Sequence, residues 1–465
     1  MHLPSWLTRW SSCAVLAIAL ALATTELHAQ TEAPVADRLA AIAQSFANNS
    51  QFKGAVLVAR DDEVLLNRGY GTASVERGLP NGPQVRYLLA SISKQFTAAA
   101  VLRLVDQGKL RLTDPLRTHL PEVPAAWSAI TVEHLLAHTS GIPNTVSGPG
   151  TVQLDRRRAT PADLYARFRD APLSFVPGSD WNYSNSGYIV LGILIEKLSG
   201  LSYAEFVRQE LLAPLGMRDS GVATGDAEVP GLASDQLCND SSPVPACVIH
   251  MSVPYSAGAL YSTTGDLLKW QRGLYGGKVL SAASLKAMTT PGRANYGLGL
   301  FISKNRAGHQ VYVHNGGIPG FSTLLAYEPE ARLSFALLAN VDNLPMDPLV
   351  RKLSAAARGV PVVLLEERRF ITLQSEVLAR YAGTYRLNEN TAFTVEVLDG
   401  APWIHFNSTP KTRLLVQSPS DFYVPAFDDE MRFTLGPDGQ PIALTRNPGP
   451  GSKAWPRDGA APLSR

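Results

Sequence analysis

The stretch that most constrains the fold is Phe96 to Val105, a nearly continuous apolar run broken mainly by Thr97 and Arg103 and stopped by Gly108. An apolar run of this length with a glycine stop predicts a buried helix. Leu89-Ala90-Ser91-Ile92-Ser93-Lys94-Gln95 leads into it, so its first turn is expected to carry Ser91 and Lys94. Residues three apart share a helix face, which sets the Lys94 nitrogen beside the Ser91 hydroxyl. A serine hydroxyl needs a neighbouring group to take its proton, and a lysine desolvated by core has a lowered pKa and can be that group. First-turn N–H groups also point at developing negative charge. The plainer alternative is a serine cap followed by a surface lysine. Ser408-Thr409-Pro410-Lys411 has the same spacing, but Pro410 and its strand-like surroundings argue against a helix there.

Two further motifs supply partners for Ser91. Tyr183-Ser184-Asn185 opens a second apolar helix, Gly187 to Leu198, closed by Gly200. Beside a Lys94 cation the anionic form of Tyr183 is favoured, which suits it to act as base towards Ser91 and then as acid to a leaving group. The Asn185 carboxamide can orient Lys94 and bind a substrate carbonyl. The alternative is a tyrosine that anchors a turn. His314-Asn315-Gly316-Gly317 ends a strand-like run. Glycines there let a substrate backbone approach, and the N–H groups of Gly317 and Ser91 can form an oxyanion hole. The alternative is an Asn-Gly-Gly hairpin turn.

Around these motifs the chain alternates in a readable way. Residues 35 to 48 read as an amphipathic helix, and Gly54–Ala59 with Val64–Leu66 as a hairpin. Short helices and loops follow to about residue 270. Tyr296–Ile302, Gln310–His314, Phe321–Tyr327 and Leu333–Ala339 read as strands, and Pro345–Arg358 as a helix. An early hairpin and a late run of strands predict one antiparallel sheet built from both ends of residues 30–360, flanked by a helical region, an α/β (α+β) arrangement. Residues 361–379 read as a linker. From residue 380 to 465, evenly spaced strands and turns predict a small all-β barrel. It is read as a ligand-binding module, a lid or a passive appendage.

His134 and His138 are four apart, a spacing that can place two imidazoles on one metal. A zinc protease would need Glu after the first His, and the intervening Leu135, Leu136 and Ala137 favour ordinary packing. No metal or cofactor is expected. A formal net charge of +2 without a basic cluster argues against a nucleic-acid partner. Arg9, the apolar Cys13–Ala23 run and Leu27-His28-Ala29 read as a signal peptide, residues 1–29, cleaved after Ala29. An uncleaved anchor is the alternative, disfavoured by the short apolar run. The mature chain, with no membrane span, is expected to be periplasmic or secreted, where Cys238 and Cys247 can form a disulfide.

Ser91-Ile-Ser-Lys94, Tyr183-Ser-Asn185 and His314-Asn-Gly316, in that order, resemble the three motifs of the class C β-lactamase and DD-peptidase superfamily of serine hydrolases. Leu135 to Gly141, Gly258 to Thr263 and Tyr296 to Gly299 add to the resemblance. It implies a serine β-lactamase/DD-peptidase-like fold over residues 35 to 358 and a lipocalin-like domain beyond about 380. It implies that Ser91 is acylated, that Lys94 and Tyr183 transfer protons, and that Asn185 positions. His314 would line the site and Gly317 supply an oxyanion N–H. The third motif departs from the Lys-Thr/Ser-Gly form of β-lactamases: His314 and Asn315 weaken a site for a substrate carboxylate. That form resembles relatives acting on D-residue peptides and some esterases. The substrate expected is therefore a small molecule or peptide cleaved at an amide or ester, with a β-lactamase or a non-turnover penicillin sensor as alternatives.

Overall fold

The computed structural model describes residues 35–459 except 50, 145–156, 235–248, 306, 408 and 450. The expected signal peptide and both cysteines, Cys238 and Cys247, lie outside the described residues. Among the described residues no helix is long and apolar enough to cross a membrane.

A six-stranded antiparallel sheet is assembled from the two ends of the larger unit. Its strands are β1 (Gly54–Arg60), β2 (Glu63–Tyr70), β3 (Phe301–Lys304), β4 (Gln310–Ile318), β5 (Phe321–Glu328) and β6 (Leu333–Ala339), in the order β2-β1-β6-β5-β4-β3. β1 pairs with β6 from Gly54↔Ala339 to Arg60↔Leu333, which joins the early hairpin to the late strands. Side chains alternate across a strand, and β6 uses both faces. Leu333, Phe335, Leu337 and Ala339 pack into one apolar layer. Ala336 and Leu338 pack into the other.

The first layer is closed by α1 (Val35–Asn48), whose Leu39, Ile42, Ala43 and Phe46 make one apolar stripe facing the sheet. On the other face lies the helical region. Its centre is α2 (Ser93–Asp106), buried from Ser93 to Leu102 as an all-round apolar helix must be. Next come α3 (Asn185–Ser199) and α4 (Thr264–Tyr275). Ser184 caps α3 by accepting the Gly187 N–H, and Gly200 ends it with a left-handed φ of 74°. Phe96 of α2 stacks on Trp270 of α4 at 3.9 Å between centroids. A further helix, α5 (Asp347–Ala357), returns to the α1 side.

Residues 383–456 form nine short strands around their own core, which includes Tyr385, Phe393, Ile404, Phe422, Phe433 and Trp455. The expected closed barrel is not what they make. They form a four-stranded and a five-stranded sheet. One edge of each sheet meets at Leu414, between Thr412–Arg413 and Leu415–Val416. The opposite edges share one isolated β-bridge, Tyr385↔Arg457, together with the Asp458 N–H donating to the Thr384 carbonyl at 2.8 Å and an Arg386–Asp458 ion pair at 3.0 Å, and no continuous ladder joins them. The strands of two and three residues are too short to carry a continuous ladder around the ring. This unit rests on the α1/α5 layer: Gln51 Nε2 donates to the Pro425 carbonyl at 2.8 Å and Arg351 Nη2 to the Phe427 carbonyl at 2.7 Å. Lys352 pairs with Asp428 at 3.0 Å.

Candidate active site

Ser91 stands in a tight 3-10 turn, Ala90–Ile92, directly ahead of α2 rather than inside its first turn. The turn is clamped on several sides. Leu89 N–H donates to the Leu260 carbonyl at 2.8 Å, Leu260 N–H to Ser93 Oγ at 3.0 Å, and Thr323 Oγ1 of β5 to the Leu89 carbonyl at 2.9 Å. Ala90 holds a left-handed φ of 47°, a strained backbone of the kind that persists where surroundings over-determine it.

Lys94 is fully buried. Its Nζ lies 3.1 Å from Ser91 Oγ, 2.7 Å from Asn185 Oδ1 and 2.8 Å from the Ala257 carbonyl. It sits 4.8 Å from the centroid of the Tyr183 ring. Desolvation pushes its pKa well below the usual lysine value. A neutral amine has two N–H donors and one lone pair. In that neutral form the Asn185 and Ala257 oxygens take the two donors and leave the lone pair for the Ser91 hydroxyl.

Tyr183, partly exposed, is hydrogen-bonded to Ser91. Its phenol pKa is raised by burial, only partly opposed by that hydrogen bond. The expectation that Lys94 would draw Tyr183 towards phenolate is therefore corrected: burial raises the phenol pKa and also disfavours the Lys94 cation that would have stabilised the phenolate.

His314 to Gly317 lie within β4 and do not form a hairpin turn. β3 reaches only Val313 in its pairing with β4, so His314–Ile318 has one strand neighbour, β5. The other edge faces the Ser91 turn. A Cβ on Gly316 would meet the Leu89 carbonyl oxygen at 2.2 Å, whereas one on Gly317 would meet nothing within 4 Å. Asn315 and Gly317 are exposed at this edge. His314 is buried, its Nδ1–H donating to the Asn315 carbonyl at 2.6 Å and its Nε2 accepting from Tyr296 Oη at 3.1 Å. Burial pushes its pKa down to about 3, so it is a neutral imidazole.

Ser91, Lys94, Tyr183, Asn185 and His314 thus come together from three distant parts of the chain. Three participants escaped the local reading: the Ala257 carbonyl, Tyr296 and His138. Tyr296 and His138 fall within stretches that carried the resemblance and Ala257 directly precedes another, which was their one signal. His134 caps its own helix, Val132–Leu136, by accepting the Thr131 N–H. His138 enters the site instead. It is buried with φ of 59°, and its ring lies 4.4 Å from that of Tyr183.

Residues 39–358 match the family model described as beta-lactamase, and residues 367–452 match a domain of unknown function (DUF3471). The chain is 27% identical over 420 residues to penicillin-binding protein 4* of Bacillus subtilis, covering 85% of this chain and 93% of that relative. It is similar to the crystal structure of a D-stereospecific amidohydrolase from Streptomyces sp., with a TM-score of 0.59 and 28% identity over 69% of this chain and 99% of that one. A penicillin binding protein from Bacillus halodurans is similar at a TM-score of 0.60 and 25% identity, over 68% and 99% of the two chains. Shared sequence across the whole sheet-and-helix unit, together with a serine and a desolvated amine in contact, leads to one conclusion: the chain belongs to the beta-lactamase family and is a serine hydrolase.

Proposed function

We propose that this protein is an exported hydrolase that cleaves an amide or ester through an acyl-Ser91 intermediate, acting on D-amino-acid peptides or amides or on simple esters. The contact of Ser91 Oγ with Lys94 Nζ at 3.1 Å carries this reading. Neutral Lys94 takes the Ser91 proton as Oγ attacks the substrate carbonyl. The N–H groups of Ser91 and Gly317 hold the oxyanion, where one donor contributes about 3 kcal/mol. The proton passes through the Tyr183 phenol to the leaving nitrogen or oxygen. A water then attacks the acyl-enzyme and returns the site to its starting state. Asn185 holds Lys94 in place by accepting one of its N–H groups at 2.7 Å.

The choice of substrate rests on His314. A buried, neutral imidazole supplies no fixed charge for a substrate carboxylate. That favours neutral amides and esters over carboxypeptidase or efficient β-lactamase action, and the similarity to a D-stereospecific amidohydrolase supports the same class. A second reading, acylation by penicillins without turnover, is favoured by the similarity to penicillin-binding proteins.

The mature protein should label with a fluorescent fluorophosphonate at Ser91, located by mass spectrometry, and lose the label in Ser91→Ala. Label retained in that variant refutes the assignment. A panel of p-nitrophenyl esters, D-amino acid amides, D-Ala-D-Ala peptides and nitrocefin then separates the substrate classes. Steady hydrolysis of an amide or ester is expected, whereas a stable penicillin adduct without turnover supports the second reading.

A further inference from the structure

His138 lies two residues beyond the end of the short helix Val132–Leu136, far in sequence from every proposed catalytic group, yet it holds the chain on both sides of Tyr183. Its carbonyl accepts the Asn182 N–H at 3.1 Å, and its Nδ1 accepts the Ser184 N–H at 3.1 Å. Between those two anchors the phenol ring of Tyr183 packs against the imidazole at 4.4 Å between centroids. Tyr188 and Tyr296 enclose the imidazole at 5.0 and 4.6 Å, with Trp181 at 6.0 Å.

Two features set this residue apart from ordinary core. Because Nδ1 accepts, the ring proton is on Nε2. That nitrogen is buried without a hydrogen-bond partner among the described residues, whereas buried polar groups in a packed core are normally satisfied. The backbone is also in the left-handed region, at φ of 59°, which is uncommon outside glycine. Both costs are tolerated for one geometric result, the acceptor aimed at Ser184.

We propose that His138 is the positioning residue for Tyr183, fixing the phenol against Ser91 by accepting the flanking backbone N–H groups and backing the ring. This rests on the proton-transfer reading of Tyr183 given above. Charge supports it independently of geometry. A protonated imidazole would carry an N–H at Nδ1 and could not accept from Ser184. The groups facing it are Lys94, His314, Tyr183, Tyr188 and Tyr296. Desolvation keeps its pKa well below the usual histidine value.

The test is a double-mutant cycle on the full chain, read as the second-order rate constant for fluorophosphonate inactivation, with thermal unfolding to verify the fold. His138→Gly tolerates the left-handed backbone and deletes both ring and acceptor, and is expected to slow inactivation about tenfold to hundredfold by misplacing the phenol. His138→Asn, which also tolerates that backbone, puts a carboxamide oxygen where Nδ1 now accepts and should recover most of the loss. In a Tyr183→Phe background, His138→Gly should change the rate by less than about twofold, since coupled residues are non-additive. Should the glycine variant not fold, His138→Asn is compared in the two backgrounds instead, and the part of the loss due to the missing ring is expected only where Tyr183 is present. An equal loss in both backgrounds, or no recovery with asparagine, overturns the proposal alone. A Tyr183→Phe protein that labels at the wild-type rate overturns the Tyr183 reading and this inference together.

Discussion

Gly316→Ala would place a Cβ 2.2 Å from the Leu89 carbonyl oxygen, 2.3 Å from Thr323 Oγ1 and 3.1 Å from Ala90 Cβ. Ordinary contact begins near 3.4 Å, so β4 and the Ser91 turn must separate by about 1.2 Å (3.4 − 2.2) to admit the methyl group. Neither neighbour yields easily. Leu89 lies two residues from Ser91 and is fixed by Leu260, and Thr323 belongs to the paired interior of β5. Such overpacking costs roughly 1–3 kcal/mol. Losing the Thr323–Leu89 hydrogen bond adds about 1 kcal/mol. The total expected is a destabilisation of about 2–4 kcal/mol. The same separation moves Ser91 about an ångström from the β4 edge, and a misplacement of that size slows a reaction on the order of a hundredfold. Urea unfolding measures the first effect and the fluorophosphonate inactivation rate the second. Gly317→Ala is the stability control, because its Cβ meets nothing within 4 Å, and it should unfold at the wild-type urea midpoint. A Gly316→Ala protein within about 0.5 kcal/mol of wild-type stability, the range of an ordinary surface change, and labelling at the wild-type rate refutes this packing argument.

His314 makes acid stability a second measurable. Below pH 6.5 the unfolded chain protonates this imidazole, while the folded chain, pushed down to about 3, does not, so stability is lost as pH falls through that window. His314→Gln should reduce the slope of unfolding free energy against pH by up to about 1.4 kcal/mol per unit between pH 4 and 6. Urea midpoints across that range show it, and an unchanged slope argues against a buried neutral imidazole. Lys94, depressed by burial, contributes in the alkaline direction: the unfolded chain holds the extra proton up to about pH 10.5, so stability rises with pH towards that value. Lys94→Met should remove that rise and cut labelling by about 10²-fold or more. Asp428→Ala takes away the carboxylate 3.0 Å from Lys352 at the α5 interface. It should lower unfolding free energy by about 3 kcal/mol with an unchanged labelling rate, and a slowed rate would tie the C-terminal strands to the site.

What could be read from local pattern was read well where geometry is local. The stripe Leu39, Ile42, Ala43, Phe46 became the buried face of α1. The apolar, strand-like runs 54–59 and 333–339 became neighbouring strands in one sheet. The three-residue step from Ser91 to Lys94 did bring nitrogen and oxygen within 3.1 Å, although Ser91 sits in the preceding turn. Other features had no local signature. Asn-Gly-Gly is as good a turn as it is a strand, and only the pairing of Leu325 with His314 and of Thr323 with Gly316 settles it as strand. Even strand spacing beyond residue 380 does not reveal whether the last strand closes on the first. His138 reads as packing because its partners, Asn182 and Ser184, are more than 40 residues away.

Amino-acid order alone therefore determined the pieces: which segments would be helix or strand, and that a hydroxyl and an amine would share one helix mouth. These follow from the 3.6-residue and two-residue periods, which need no distant contact. Tertiary structure alone decided the chemical state of the site. The charged forms of Lys94 and His314 are disfavoured because residues from α3, β4 and the 257–260 segment exclude water around them. Desolvation is a property of the assembled surroundings, and no spacing along the chain encodes it.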